Sequence, residues 1–161
     1  MILHGGLIAA YEGGAWRGVL IEGASGAGKS DLMLRCLEAG FRLVADDRVV
    51  VWASGGALYG RAPDSLAGRL EIRGLDVLEV PALRYCRIRL CVRAGASERI
   101  PDPARVAYAG LSLPMVILPL LESSAPAKLR HALSHLGGGA EGAYQGDLAA
   151  GVEPPPGGDS R

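Results

Sequence analysis

The chain has 161 residues, of which 49% are hydrophobic, so it is long enough for one domain with a substantial core. Its 17 basic and 17 acidic residues cancel, which excludes a general electrostatic attraction to nucleic acid or to an anionic membrane. No segment approaches the ~20 apolar residues of a membrane span. The three cysteines form no CxxC pair and the N-terminus has no signal-peptide pattern, so we expect a reduced, cytoplasmic protein.

The first predicted elements are two strands, a glycine-rich loop and a helix. Residues 2–10 and 17–22 are apolar runs joined by a glycine turn, and residues 30–39 have helical spacing, with Asp31 and Arg35 one turn apart. The loop before the helix matches the Walker A pattern GxxxxGKS with Gly23, Ala24, Ser25, Gly26, Ala27, Gly28, Lys29 and Ser30. A strand before this loop and a helix after it are the context that the motif requires.

This loop predicts binding of a nucleoside triphosphate, with ATP and Mg²⁺ as the expected cofactors. Glycines allow backbone N–H groups to point at phosphate oxygens, and the helix N-terminus adds the positive end of a dipole. Lys29 is expected to contact the phosphates and the Ser30 hydroxyl to bind Mg²⁺. The alternative is a glycine-rich turn that binds nothing, and the flanking strand and helix argue against it.

Carboxylates follow two further apolar runs. Asp46 and Asp47 come directly after residues 41–45, where one carboxylate can hold a metal and the other can accept a proton from an attacking hydroxyl. Glu71 and Arg73 alternate with apolar neighbours, which places both on one face of a strand. From the residues alone, Glu71 and Arg73 could face a metal and a phosphate, or they could belong to a cross-strand ion pair.

A strand with strict alternation is predicted over residues 84–94. One face would carry arginines and Cys91 toward solvent, a partner or a phosphate, and the other would be buried through Cys86, Ile88, Leu90 and Val92. Residues 113–118 predict another strand.

A helix is predicted to begin at Ser124, with Leu129, Leu133 and Leu136 on its buried side. From residue 137 onward glycine and proline are frequent, which predicts a disordered tail after a domain of residues 1–136.

Several of these segments together resemble the HPr kinase/phosphorylase C-terminal domain. The resemblance is carried, in this order, by His4-Gly5, the GASGAGKS loop, residues 40–49 (GFRLVADDRV) and residues 70–75 (LEIRGL). It covers residues 1–94 well and residues 95–136 weakly. It implies a single phosphate-loop α/β domain, with a mixed sheet and flanking helices, of the kind shared with phosphoenolpyruvate carboxykinase.

The resemblance also implies an activity and a set of residues. The family uses ATP and Mg²⁺ to phosphorylate a serine of HPr, a phosphocarrier of the sugar phosphotransferase system, and its full-length members assemble as hexamers. Ser30, Asp46 and Glu71 would serve the metal, and Asp47 is the leading candidate for the proton acceptor. The catalytic residues implied by the resemblance are Asp47, Asp46, His4, Lys29 and Arg99.

Two departures from the family pattern leave the phosphorylase activity open. The N-terminal domain of members with both activities is not part of these residues, and the loop associated with phosphorolysis is not recognisable. The short form resembles that of proteobacteria without a full sugar phosphotransferase system, so a nitrogen-branch phosphocarrier is a candidate target. Two alternatives to a serine-protein kinase also remain: a small-molecule phosphate-loop kinase and a non-enzymatic nucleotide-binding switch.

Overall fold

The computed structural model describes residues 1–137; the predicted tail therefore lies, from residue 138 onward, outside the described residues. The strands are β1 (Ile2–His4), β2 (Gly6–Glu12), β3 (Ala15–Glu22), β4 (Arg42–Ala45), β5 (Arg48–Ser54), β6 (Ala57–Arg61), β7 (Arg69–Ile72), β8 (Asp76–Glu79), β9 (Cys86–Ala94), β10 (Ala104–Tyr108) and β11 (Leu111–Leu118). The helices are α1 (Lys29–Glu38) and α2 (Ala125–Ala132), with a π-turn (Leu133–Gly137) after α2 and a 3₁₀ turn at Asp64–Leu66. Neither helix of this part of the chain is long and apolar enough to cross a membrane.

A mixed sheet of nine strands forms the body of the domain, as predicted. Its main order is β1-β5-β6-β9-β3-β2-β4. Strand β9 is parallel to β3 along one edge; along its other edge it pairs first with β6 and then, in parallel, with β11. The hairpin β7-β8 forms a separate two-stranded sheet. This arrangement puts β3 and β9 at the centre.

Both faces of the central strands are buried. Ile8, Val19 and Ile21 pack with Leu32 and Met33 on the helical side. Neighbouring residues such as Leu7, Ala9 and Leu20 join a second cluster on the opposite face, with side chains from β5 and β6. Strands covered on both faces have continuous rather than alternating hydrophobic sequences, which explains the apolar runs in β2 and β3.

Strand β9 departs from the predicted alternation because it contains a bulge. Gly18 of β3 pairs with Ile88, but the next residue, Val19, pairs with Leu90, so Arg89 is the extra residue. Beyond the bulge, residues of β9 that would have pointed to one face of the sheet point to the other. Ile88 therefore belongs to one hydrophobic cluster and Leu90 to the other. The predicted exposed arginine face is therefore wrong at Arg89, which is only 6% exposed.

The two helices largely follow their sequence signals. Helix α1 has the predicted salt bridge between Arg35 Nε and Asp31 Oδ1 at 2.7 Å, and Gly40, with φ of +99°, follows its end. Helix α2 follows Ser124, although the Ser124 side chain makes no capping hydrogen bond. The buried stripe of this segment contains Leu129 and Leu133. Leu136 was predicted to be buried but is 39% exposed, because a π-turn after α2 changes the helical spacing.

The cysteines provide a test of this two-sided core. Cys36, Cys86 and Cys91 are all free and buried, and burial raises the pKa of the Cys36 thiol to about 12 and also raises those of Cys86 and Cys91. Because the thiolate is the reactive form, we expect no rapid reaction with Ellman's reagent at pH 8 in the native protein and three reactive thiols in guanidinium. A fast-reacting thiol in the native protein would contradict the packing described here.

Candidate active site

The loop of residues 23–28 connects the central strand β3 to helix α1. Gly26 and Gly28 have φ angles of +85° and +101°, which glycine adopts at little cost and other residues rarely adopt. The Gly28 carbonyl accepts the first helical bond, from the Leu32 N–H, at 2.9 Å. The loop therefore delivers its backbone to the N-terminus of a helix, the arrangement that attracts phosphate groups.

Lys29 is the first residue of α1, and its side chain folds back over the loop. Its Nζ donates hydrogen bonds to the carbonyl oxygens of Gly23, at 2.7 Å, and Ala24, at 3.0 Å. These contacts hold the ammonium group beside the cavity that the loop borders. The structure thus holds the positively charged Lys29 side chain between the glycine loop and the cavity.

Asp46 connects three segments that are distant in sequence. It lies in the turn after β4 and is 8% exposed. Its Oδ1 accepts a hydrogen bond from Ser30 Oγ at 3.0 Å, and its Oδ2 accepts one from the Glu71 backbone N–H at 3.0 Å. Burial raises the pKa of Asp46, while the bonds from Glu71 and Ser30 oppose the rise and the carboxylates of Asp47 and Glu71 add to it. A cation beside this group would relieve the repulsion.

Asp47 sits next to Asp46 but is exposed toward the cavity. Its φ of +73° is unusual for a residue other than glycine, and such conformations concentrate at functional positions. The Gly5 N–H donates to the Asp47 carbonyl at 3.1 Å, which ties the turn to the β1-β2 junction. The Asp47 side chain is 66% exposed and lies 3.9 Å from Arg48 Nε. The two adjacent carboxylates therefore have different surroundings, one buried and one open.

The hairpin β7-β8 supplies the opposite wall. Glu71 of β7 and Arg73 both line the cavity, but Arg73 lies in the turn after β7 rather than on the strand face that the sequence pattern predicts. Glu71 is opposite Val77 in the hairpin, so the cross-strand alternative of an ion pair at this position fails. Sequence reasoning left this choice open because the partner strand could not be known.

The cavity between these segments has a volume of about 370 Å³, which is in the ordinary range for a small-molecule site. Within residues 1–137 there is no cluster of three or more His, Cys, Asp or Glu side chains that could enclose a metal by themselves. Mg²⁺ typically takes one or two carboxylates and completes its shell with water and substrate phosphate oxygens. Ser30, Asp46 and Glu71 fit that pattern, and Lys29 with the glycine loop fits a triphosphate.

Two of the five predicted catalytic residues lie apart from the cavity lining. His4 ends β1 and is exposed, although its neighbour Gly5 does line the cavity, and His4 pairs with Arg48 in the sheet. Arg99 lies in the exposed segment between β9 and β10 and is not among the lining residues. Catalytic roles for His4 and Arg99 stay predictions.

One wall of the cavity was not foreseen. Leu121, from the segment between β11 and α2, lines the cavity and approaches the glycine loop. Arg35 fixes this segment, because its guanidinium donates to the carbonyl oxygens of Leu120 and, at 3.1 Å, Glu122. The sequence pattern predicts only the local pair of Arg35 with Asp31. The contacts with Leu120 and Glu122, which are 85 and 87 positions further along the chain, depend on the tertiary fold.

Substitutions at Gly28 and Gly26 should separate steric contact from backbone strain. Both residues have positive φ, so alanine at either should destabilise the fold by about 1–2 kcal/mol. A Cβ at Gly28 would lie 2.7 Å from Leu121 Cδ2, whereas a Cβ at Gly26 meets nothing within 4 Å. We therefore expect Gly28→Ala to cost more than Gly26→Ala in guanidinium unfolding, and Leu121→Ala to remove that excess. Equal costs for the two alanines would contradict the close approach of Leu121.

Comparisons with known proteins identify the family of this chain. The family model described as the HPr Serine kinase C-terminal domain matches residues 1–87. HPr kinase/phosphorylase of Clostridium tetani is 44% identical over 81 residues, which are 50% of this chain and 25% of that protein. HPr kinase/phosphorylase of Streptococcus thermophilus is 45% identical over 82 residues, with the same two shares. The match thus spans about a quarter of the length of these curated relatives.

A solved structure extends the likeness of fold beyond the aligned sequence. The Hpr(Ser) kinase/phosphatase from Coxiella burnetii superposes with a TM-score of 0.71 at 20% identity, covering 84% of this chain and 95% of that one. At this identity the superposition shows a shared fold, and it includes the part of the chain beyond residue 87. The residues matched by the family model contain the glycine loop, the aspartate pair and the β7-β8 hairpin, and the chain belongs to the HPr Serine kinase C-terminal domain family.

Proposed function

We propose that this chain is the catalytic domain of an ATP- and Mg²⁺-dependent protein-serine kinase whose substrate is an HPr-like phosphocarrier. The observation that carries the proposal is the position of Asp46, which is hydrogen-bonded both to Ser30 after the phosphate loop and to the backbone of Glu71. Asp47 stands exposed beside it. Residues suited to hold a nucleotide, residues suited to hold a cation and an exposed carboxylate therefore line one cavity, as phosphoryl transfer to a hydroxyl would require.

The binding roles follow from charge and position. The N–H groups of the glycine loop and the Lys29 ammonium would hold the phosphates, because both present positive charge at one end of the cavity. Ser30, Asp46 and Glu71 would hold Mg²⁺, which when bound neutralises phosphate charge. Asp46 also orients the Ser30 hydroxyl through their hydrogen bond, so its burial serves positioning as well as binding.

Asp47 is the proposed proton acceptor. Both oxygens of Asp46 already accept hydrogen bonds from Ser30 and Glu71, whereas the Asp47 carboxylate is largely exposed and faces the cavity. A seryl hydroxyl presented by another protein can reach such a group without passing through the nucleotide position. Taking the proton from that hydroxyl at Asp47 would increase the nucleophilicity of its oxygen.

The choice of a protein substrate is supported by family membership and by the open setting of Asp47. The names of the curated relatives also mention a phosphorylase, and we propose only the kinase half for this chain, because the loop associated with phosphorolysis is not recognisable here. Three free, buried cysteines favour a reducing cytoplasmic setting. A homo-oligomer, as in the hexameric full-length enzymes that the chain resembles, is part of the same proposal.

Lys29→Ala should abolish transfer. Its loss removes the fixed positive charge beside the phosphates, so we expect a fall of roughly 10²–10⁴-fold, or about 3–5 kcal/mol of transition-state stabilisation. The measurement is transfer of label from ATP to serine of candidate phosphocarriers, with Lys128→Ala as a lysine control outside the cavity lining. Activity of Lys29→Ala within threefold of the parent would contradict the nucleotide site. Label on a metabolite would favour a small-molecule kinase, and binding without turnover would favour a nucleotide switch.

Asp47→Asn should separate binding from chemistry. Asparagine keeps the size of the side chain but cannot take up the seryl proton, so Mg·ATP should bind normally while transfer falls by ~10²-fold or more.

Glu71→Gln should instead raise the Mg²⁺ concentration needed for half-maximal rate, because it removes a negative charge near the cation. Nucleotide titration and single-turnover transfer of both variants test this. If Asp47→Asn loses Mg·ATP binding but keeps the rate of the bound state, Asp47 belongs to the metal site instead.

A further inference from the structure

Leu121 is an exposed leucine that the structure holds at the wall of the cavity beside the glycine loop. Its side chain lines that cavity and is 64% exposed, and a Cβ added at Gly28 would lie 2.7 Å from Leu121 Cδ2. We infer that Leu121 is a specificity-determining residue that supports the base of a bound nucleoside triphosphate, and that Arg35 positions it. The inference rests on the proposed function, because it assigns a further part of the same nucleotide site.

The hydrophobic core does not account for the position of Leu121. Leu34 and Ile72, which also line the cavity, are partly buried and pack against the cluster on the helical side of the sheet. Within residues 1–137, Leu121 belongs to neither hydrophobic cluster. A leucine in contact with water at a cavity wall becomes more stable when an apolar surface covers it. A ligand with an apolar face would provide that cover.

The backbone on both sides of Leu121 is fixed. Leu120 is buried in the core. The Arg35 guanidinium donates hydrogen bonds to the carbonyl oxygens of Leu120 and, at 3.1 Å, of Glu122. The Glu122 N–H donates to the Pro119 carbonyl oxygen at 3.2 Å, which closes a tight turn around Leu121. A side chain that is held in place before a ligand arrives loses little conformational entropy on binding. Arg35 is not among the lining residues, so it acts on the ligand through Leu121.

The chemistry of the lining decides which part of a nucleotide meets Leu121. Lys29, Ser30 and the loop N–H groups suit phosphate oxygens and a cation. A leucine side chain has neither charge nor hydrogen-bonding group, so a phosphate against it would lose hydration without gaining a partner. A nucleobase, in contrast, has a flat π-face that packs well on apolar surface. Leu121 therefore favours a nucleoside triphosphate over a bare polyphosphate chain.

The test compares ATP with inorganic tripolyphosphate, which has three linked phosphates but no base. Each is titrated calorimetrically into the full chain in the presence of Mg²⁺. Leu121→Ala should weaken ATP binding by roughly five- to twentyfold and change tripolyphosphate binding by less than about twofold, because only ATP loses an apolar contact. Leu75→Ala is the matched control, since Leu75 is 69% exposed and lies outside the cavity lining, and it should bind both ligands as the parent does.

Arg35→Gln tests the positioning role. Without the bonds to the two carbonyl oxygens, this variant should show the same selective loss of ATP affinity, with tripolyphosphate affinity kept. Adding Arg35→Gln to Leu121→Ala should cost little more than Leu121→Ala alone, because residues that act through one contact are not additive. Arg105→Gln is the control, since Arg105 is exposed and also donates to a backbone carbonyl oxygen, that of Ser112. If Arg35→Gln does not fold, the exposed Leu121 decides through its own variant.

Three results would overturn the inference. Equal weakening of ATP and tripolyphosphate by Leu121→Ala would show that the leucine supports the glycine loop rather than the base. Unchanged ATP affinity in Leu121→Ala, with or without a higher KM for the protein substrate, would show that the leucine does not contact the nucleotide. Normal ATP affinity in Arg35→Gln would remove the positioning role.

Lys29→Ala separates this inference from the proposed function. It should weaken ATP and tripolyphosphate alike, because both place phosphates beside the ammonium group. If the parent protein binds neither ligand, the proposed function fails together with the inference. If Lys29→Ala weakens both ligands while Leu121→Ala weakens neither, the inference alone fails and the nucleotide site stands.

Discussion

The buried carboxylate of Asp46 is the interaction on which the candidate active site depends. It accepts hydrogen bonds from Ser30 at the start of α1 and from the Glu71 backbone in β7, and it lies itself in the turn after β4. Placing an ionised carboxylate at 8% exposure is costly, and two hydrogen bonds offset only part of that cost. The contacts of Asp46 bring together the glycine loop, the aspartate pair and the β7-β8 hairpin. They also leave a negative charge at Asp46, and this position suits a cation.

The sheet makes this convergence possible. Because β3 is buried on both faces, the loop that follows it starts from a fixed point rather than from a mobile edge. Helix α1 then packs against the sheet through Leu32, Met33 and Cys36 while its N-terminus remains at the cavity. Arg35 of the same helix donates hydrogen bonds to the carbonyl oxygens of Leu120 and Glu122. Helix α1 therefore positions both its own N-terminus and the segment that contains Leu121, and these form two walls of the cavity.

The bulge in β9 has consequences for both faces of the central sheet. The extra residue exchanges the two buried faces of the strand, so that Ile88 and Leu90 belong to different hydrophobic clusters. The close approach at this point requires Gly18, since a Cβ there would lie 2.6 Å from Cys86 Sγ and 2.7 Å from the Arg87 carbonyl oxygen. The same irregularity buries Arg89, which the alternating sequence pattern predicts on an exposed face, at 6% exposure.

The sequence by itself determined the local elements of this protein. The glycine loop, the start of α1, the β2-β3 hairpin and the aspartate pair depend on interactions between near neighbours, so their patterns predicted them. The tertiary structure alone decided which carboxylate is buried, because Asp46 and Asp47 are adjacent and chemically alike until Ser30 and Glu71 contact one of them. It also decided the positions of Leu121 and Arg89. The position of Leu121 depends on hydrogen bonds from Arg35 to residues more than 80 positions away, and the burial of Arg89 depends on the register between β9 and β3. Neither interaction produces a periodic pattern in the sequence.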